Sequence, residues 1–184
     1  MTILVTGGAG FIGANFILDW LAGSDEPVVT LDALTYAGNP DNLSALRDDP
    51  RHRLVQGDIA DAGTVAALVA QYRPRAIINF AAESHVDRSI QGPEAFIQTN
   101  VVGTFRLLDV CLRHWQQQPE PERAAFRLLH VSTDEVYGTL APTDAPFAET
   151  HAYQPNSPYS AGCWTPGNRV RSTTSAVAMR SKTS

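Results

Sequence analysis

The chain has 184 residues, 43% of them hydrophobic and 18% charged, with a formal net charge of -5. That length supports one domain with a sizeable core, and the balance excludes a disordered chain. It carries no basic block of the kind nucleic acid requires, and no apolar run is expected to cross a membrane. Met1-Thr2-Ile3-Leu4-Val5-Thr6 lacks a basic n-region and reads as a first strand, not a signal peptide. Cys111 and Cys163 form no CxxC pair, so a disulfide framework is not expected and a reducing, cytoplasmic setting fits. The five histidines lack metal-ligand spacing, and no metal site is assigned.

In chain order, Ile3-Leu4-Val5 is a strand running into glycines. Phe11, Ile12, Phe16, Ile17, Trp20 and Leu21 fall near helical spacing and predict a helix over 11–21. Val28 to Leu31 reads as a second strand, and 39–46 as a short helix with Pro40 near its start. Arg53 to Gln56 is a third strand, Thr64 to Tyr72 a helix, and Ala76 to Phe80 a fourth strand. Pro93 to Trp115 reads as one long helix. Residues 116–123, with Pro119 and Pro121, read as a loop, and Phe126 to Val131 as a fifth strand. The Pro-rich stretch from Pro142 to Pro158 is expected to be loop. Strands alternating with helices predict an α/β fold with a parallel sheet and right-handed crossovers.

Gly7-Gly8-Ala9-Gly10-Phe11-Ile12-Gly13 stands between the first strand and the first helix, with glycines spaced GxxGxxG at Gly7, Gly10 and Gly13. Glycine allows a tight turn and removes the side chain that would hold backbone away from a pyrophosphate. The helix that follows offers N–H donors and partial positive charge. This strand–turn–helix context predicts a dinucleotide site and a Rossmann-like, doubly wound sheet of about five strands. Asp32 ends the second strand, where a carboxylate accepts the adenosine ribose hydroxyls and repels a 2′-phosphate. NAD is therefore favoured over NADP. Asp58-Ile59 and Phe80-Ala81-Ala82 follow the third and fourth strands, at the sheet edge where such folds bind ligands.

GGAGFIG at Gly7 to Gly13 resembles the extended short-chain dehydrogenase/reductases. DALTYAGN at Asp32 to Asn39, AAESHVDRS at Ala81 to Ser89 and STDEVYG at Ser132 to Gly138 resemble the dTDP-glucose 4,6-dehydratases of that family. The resemblance covers residues 1–161. It implies bound NAD, with Phe11 and Ile12 at the pyrophosphate and Asp32, Ala33, Leu34 and Thr35 around the adenosine ribose. Asp58 and Ile59 would approach the adenine. Phe80, Ala81, Ala82, Glu83, Ser84 and Thr99 would line the path to the nicotinamide. Ser84 and Thr133 would also touch the sugar nucleotide.

The reaction that the resemblance implies converts dTDP-glucose to the 4-keto-6-deoxy sugar and water, in deoxysugar biosynthesis. Oxidation at carbon 4 passes hydride to NAD and acidifies the carbon 5 proton. Water is then eliminated, and hydride returns to carbon 6. Elimination needs two acid/base groups in opposite protonation states. By resemblance Asp134 is the acid toward the carbon 6 hydroxyl and Glu135 the base at carbon 5. Thr133 hydrogen-bonds the carbon 4 oxygen. Tyr159 removes the carbon 4 hydroxyl proton and contacts the cofactor. His85 and Arg88 are expected to order their loop. A homodimer through the long helix and the tyrosine helix is implied as well.

The sequence departs from that pattern at its end. The family tyrosine motif is YxxxK, but position 163 is Cys163, and the only lysine in the chain is Lys182. Residues 162–184 hold Arg169, Arg171, Arg180 and Lys182, no acid and no apolar period. They are expected to be an irregular, non-family tail, from a shifted reading frame that ends early. The further expectations are a missing substrate domain, an incomplete dimer surface and little turnover. Two other readings stay open. One is a related UDP-sugar 4-epimerase or UDP-glucose dehydratase, although an epimerase needs no Asp134-Glu135 pair. The other is a non-catalytic NAD-binding module.

Overall fold

The computed structural model describes residues 1–163. The expected irregular tail lies, from residue 164 onward, outside the described residues. Five strands form one parallel sheet: β1 (Ile3–Thr6), β2 (Val28–Asp32), β3 (His52–Gln56), β4 (Ala76–Asn79) and β5 (Arg127–His130). Their spatial order is β3-β2-β1-β4-β5, as the Rossmann-like expectation requires. Among the described residues β3 and β5 are the edges.

The sheet is covered on both faces, which is why its central strands are almost unbroken apolar runs. Every residue of β1, β2 and β4 is buried. Successive side chains point to opposite faces and so feed two cores. Ile3, Val5 and Ile78 pack with Ile17 and Leu21 of α1 (Phe11–Gly23) and with Leu43 and Leu46 of the 3-10 turn Pro40–Leu46. Leu4, Leu31 and Ile77 pack on the other face with Val65 and Leu68 of α2 (Ala62–Tyr72). Asp61 starts α2 by accepting from the N–H groups of Gly63 and Thr64, which would otherwise lack partners. Arg75 forms a bidentate ion pair with Glu26, both bonds 2.6 Å, joining the chain before β4 to the chain before β2.

The structure changes the expected elements between β4 and β5. A short helix, α3 (Val86–Gln91), follows the β4 loop. The expected long helix comprises α4 (Pro93–Phe96), a π-helical turn (Ile97–Gly103) and α5 (Thr104–Gln117). Extra residues in a π turn re-aim side chains, and such turns are common at functional sites. The expected loop over 116–123 contains the start of α6 (Glu120–Ala125). Pro119 is its N-cap and Pro121 lies in its first turn, where a missing N–H costs nothing.

The helical run Pro93–Gln117 is long and apolar enough to cross a membrane by length and composition, contrary to the expectation from sequence. Its packing accounts for much of that composition. Phe96 is buried, and Leu107, Val110 and Cys111 lie in the second core against the sheet. Ile97, Val101 and Phe105 form an exposed stripe on the same run.

Ile77 is fully buried at the centre of the sheet. Ile77→Ala is expected to cost about 2–5 kcal/mol through lost burial and a residual cavity. A urea titration followed by circular dichroism checks this, and an unchanged midpoint contradicts the core assignment.

Candidate functional site

The parallel register brings the ends of all five strands to one edge, and the predicted site residues collect there. The turn after β1 is tight. Gly7 has φ +70°, and a Cβ on it would stand 2.5 Å from the Ala81 nitrogen and 2.6 Å from the Phe80 carbonyl carbon. A Cβ on Gly13 would strike the Gly7 carbonyl oxygen. Both positions therefore demand glycine, and the turn lies flat between β4 and α1. Gly10 caps α1 without a side-chain bond, so the first N–H groups of a 13-residue helix remain for an anion. Phe11 and Ile12 begin that helix and are exposed. This cradle fits a pyrophosphate.

Asp32 is buried, with 7% exposure. Its Oδ2 accepts from Ala9 N at 2.9 Å and its Oδ1 from Leu34 N at 2.8 Å. The carboxylate thus fastens the glycine turn to the β2 loop. A carboxylate has about four acceptor sites, so two remain for ribose hydroxyls. Leu34 takes the left-handed conformation, φ 53°, which is strained for a branched side chain. Ala33 and Thr35 are exposed beside it. Asp58 is exposed and accepts from Ala60 N. Ile59 is a core residue, so a ligand there would meet only its main chain.

The β4 loop is held from below and from the side. Thr6 Oγ1 donates to Asn79 Oδ1 at 2.5 Å, and Ala81 N donates to the same oxygen. Asn79 Nδ2 donates to His130 Nδ1 at 2.9 Å, which requires that nitrogen to be unprotonated. Phe80 packs on Phe16, ring centroids 5.6 Å apart. Asn100, buried in the π turn, accepts from Glu83 N at 2.8 Å and donates to Glu83 O at 2.9 Å. Ala82 and Ser84 are exposed, and Thr99 is half-buried next to Asn100. Sequence reasoning missed Asn79 and Asn100. Their signal was an amide ending an apolar strand and an amide within an apolar helix, each of which must find partners once buried.

After β5 comes the 3-10 turn Asp134–Tyr137, capped by Thr133, whose Oγ1 accepts from Glu135 N at 3.3 Å. Tyr159 lies on α7 (Pro158–Cys163) and hydrogen-bonds the side chains of Thr133 and Cys163. Ser132 Oγ donates to Cys163 O at 3.1 Å, docking α7 on this turn. The structure therefore unites Thr133, Glu135 and Tyr159, with Asp134 alongside. Burial, with the Asp134 charge adding, raises the Glu135 carboxyl above its ordinary value. Burial pushes the Tyr159 phenol well above 10, and Cys163 and Glu135 push it further; the Thr133 hydrogen bond opposes them. The Cys163 thiol is pushed up to about 11, chiefly by burial. Both groups are neutral at pH 7.

The family model for GDP-mannose 4,6 dehydratase matches residues 4–174, and the chain belongs to that family. The match runs past Ala161, where the motif resemblance ends. A dTDP-glucose 4,6-dehydratase from Xanthomonas campestris pv. campestris (strain B100) is 58% identical over 160 residues, which are 87% of this chain and 45% of that protein. The chain spans about half the length of the curated relatives it matches. Among solved structures, DesIV, a dTDP-glucose 4,6-dehydratase from Streptomyces venezuelae with NAD bound, has 46% identity and a TM-score of 0.78. That match covers 89% of this chain and 48% of DesIV. A UDP-glucose 4-epimerase from Brucella ovis in complex with NAD has 30% identity and a TM-score of 0.71, over 88% of this chain and 44% of that one.

Burial lowers the His52, His114 and His130 imidazoles below their ordinary value of 6.5. The unfolded chain thus binds more protons than the folded one at mildly acid pH. The histidine contribution to stability is full above 6.5 and is lost as pH falls through the lower folded values. The raised Glu135 acts in the opposite sense, but it is one group against three. The urea midpoint is expected to drop between about pH 7.5 and pH 5.5; a midpoint that rises over that span contradicts the assignment.

Proposed function

We propose that this chain is the NAD-binding portion of a nucleotide-sugar 4,6-dehydratase of the dTDP-glucose type, and that as it stands it binds NAD with little or no turnover. The observation that carries the reading is the meeting of Thr133, Asp134, Glu135 and Tyr159 beyond β5, on the sheet edge that holds the glycine cradle. Higher identity to dTDP-glucose dehydratases than to the epimerase supports the dehydratase over its sibling. So does the paired carboxylate, which elimination uses and epimerisation does not.

NAD, when bound, supplies a reversible hydride acceptor for carbon 4 of the sugar. The chain's own residues do the rest. The start of α1 holds the pyrophosphate, and Asp32 holds the adenosine ribose. Thr133 positions the carbon 4 oxygen, with Ser84 on the sugar-nucleotide side. Asp134 donates a proton to the departing carbon 6 hydroxyl. Glu135 takes the carbon 5 proton, a task suited by its raised affinity for protons.

The lack of turnover follows from Tyr159. Removing the carbon 4 hydroxyl proton requires a phenolate, and burial, Cys163 and Glu135 all oppose one, with only the Thr133 hydrogen bond in its favour. A lysine at 163 would lower the phenol by its charge; the neutral Cys163 thiol supplies none. The buried free thiols Cys111 and Cys163 fit a reducing cytoplasm. The exposed stripe of Ile97, Val101 and Phe105 suits pairing with a second copy.

The test is NAD binding by calorimetry, alongside formation of a 4-keto sugar from dTDP-glucose. The unaltered chain is expected to bind NAD and form no measurable product. Asp32→Asn should weaken binding about tenfold, the scale of one lost charge-assisted hydrogen bond. Cys163→Lys, in a chain extended to the length of the relatives, should form product. Product from the unaltered chain would overturn the inactivity. No product from the extended Cys163→Lys chain would overturn the dehydratase reading, and no NAD binding would overturn the cofactor.

A further inference from the structure

One set of contacts near the cradle is not used by the chemistry above. Tyr36 lies in the β2 loop, just past Asp32 to Thr35. Its ring lies tilted against the His85 imidazole, centroids 5.4 Å apart, and the Arg88 guanidinium sits 4.4 Å from the same ring centroid. Its hydroxyl hydrogen-bonds the Glu83 side chain and the Ser84 main chain. All four partners belong to the β4 loop and the start of α3. Four separate contacts thus converge on one side chain that is 47% exposed.

The topology states what these contacts cross. β2 and β4 flank β1 on its two sides. The glycine turn follows β1, so a bridge from the β2 loop to the β4 loop must pass over that turn. The β2 loop already leans over it. Asn39 N and Asn42 Nδ2 both donate to Ala9 O, and the Ala37 carbonyl lies 3.9 Å from where a Cβ on Gly10 would stand. The far end of the bridge is anchored too, because Asn100 grips both main-chain groups of Glu83. One end is thus fixed by Asp32 and the other by Asn100, and the exposed Tyr36 cluster joins them in the middle.

We propose that Tyr36, with His85 and Arg88, is a clasp that closes over the dinucleotide across the glycine turn and must open for it to pass. The proposal rests on the NAD reading. Tyr36 is a gate residue, outside the proton-transfer chemistry. Its aromatic and cation–π contacts are weak enough at an exposed site to break and re-form. A dinucleotide threaded beneath would be retained longer than its own contacts alone allow. A clasp also makes a kinetic statement that a simple ligand contact does not. Removing a contact speeds release only, whereas removing a gate speeds entry and release together.

The experiment is stopped-flow measurement of NAD association, and of dissociation by chase, on the unaltered chain, Tyr36→Ala and Arg88→Gln. Both variants change exposed side chains. With Tyr36→Ala both rate constants should rise about fivefold and the dissociation constant should change less than either, the scale on which an exposed cation–π stack holds a closed state. Arg88→Gln should move both rates the same way by a smaller factor. A rise in dissociation alone would make Tyr36 an ordinary NAD contact and overturn the clasp. Unchanged rates in both variants would overturn it as well. Failure of the unaltered chain to bind NAD would overturn the cofactor reading and the clasp together, an outcome distinct from the other two.

Discussion

Burial of β1, β2 and β4 on both faces is the constraint on which the other features rest. A strand buried that way must satisfy its backbone through neighbouring strands, since no water reaches it, and here every neighbour is parallel. Parallel neighbours all end at the same edge. The loops after β1, β2, β4 and β5 therefore converge whether or not they touch in sequence. The site is built from these loops because the sheet leaves them no other place to go.

Convergence alone does not align a site, and buried polar side chains supply the alignment. Asp32 fixes the β2 loop to the glycine turn through Ala9 and Leu34. Asn79 joins β1, β4 and β5 through Thr6, Ala81 and His130. Asn100 ties the β4 loop to the π turn and reaches toward Cys163 of α7. Each group is costly to bury unless every bond is made, so each admits few alternative loop positions. On the proposed reading the carboxylate that fastens the turn would also hold the ribose, so structure and binding would depend on one residue.

Environment sorts the groups beyond β5. Glu135 and Tyr159 lie close and both are partly buried, so both hold protons more tightly than in water. On the proposed reading this favours Glu135 as a base near neutral pH and disfavours Tyr159, which would first have to lose a proton, with Cys163 adding to the obstacle. Elimination and oxidation would then make opposite demands on one corner, which a positive charge beside the phenol would relieve.

The sequence by itself determined the sheet, its parallel sense and the dinucleotide cradle. Apolar β-branched runs, the spacing of Gly7, Gly10 and Gly13, and Asp32 at a strand end are local signals, each with one physical meaning. Its motifs also marked Thr133, Asp134, Glu135 and Tyr159. Only the tertiary structure decided how these meet. The π turn over Ile97–Gly103 holds Asn100 in contact with Glu83, distant in sequence, and helical periodicity does not show it. The prolines at 119 and 121 looked like breakers because their places at the N-cap and in the first turn of α6 depend on where that helix starts. That the Ile59 side chain lies in the core, leaving only its main chain to a ligand, is likewise a property of packing and not of the local sequence. The cluster of Tyr36, His85 and Arg88 joins two loops on either side of β1, a proximity set by strand order and by nothing local to either loop.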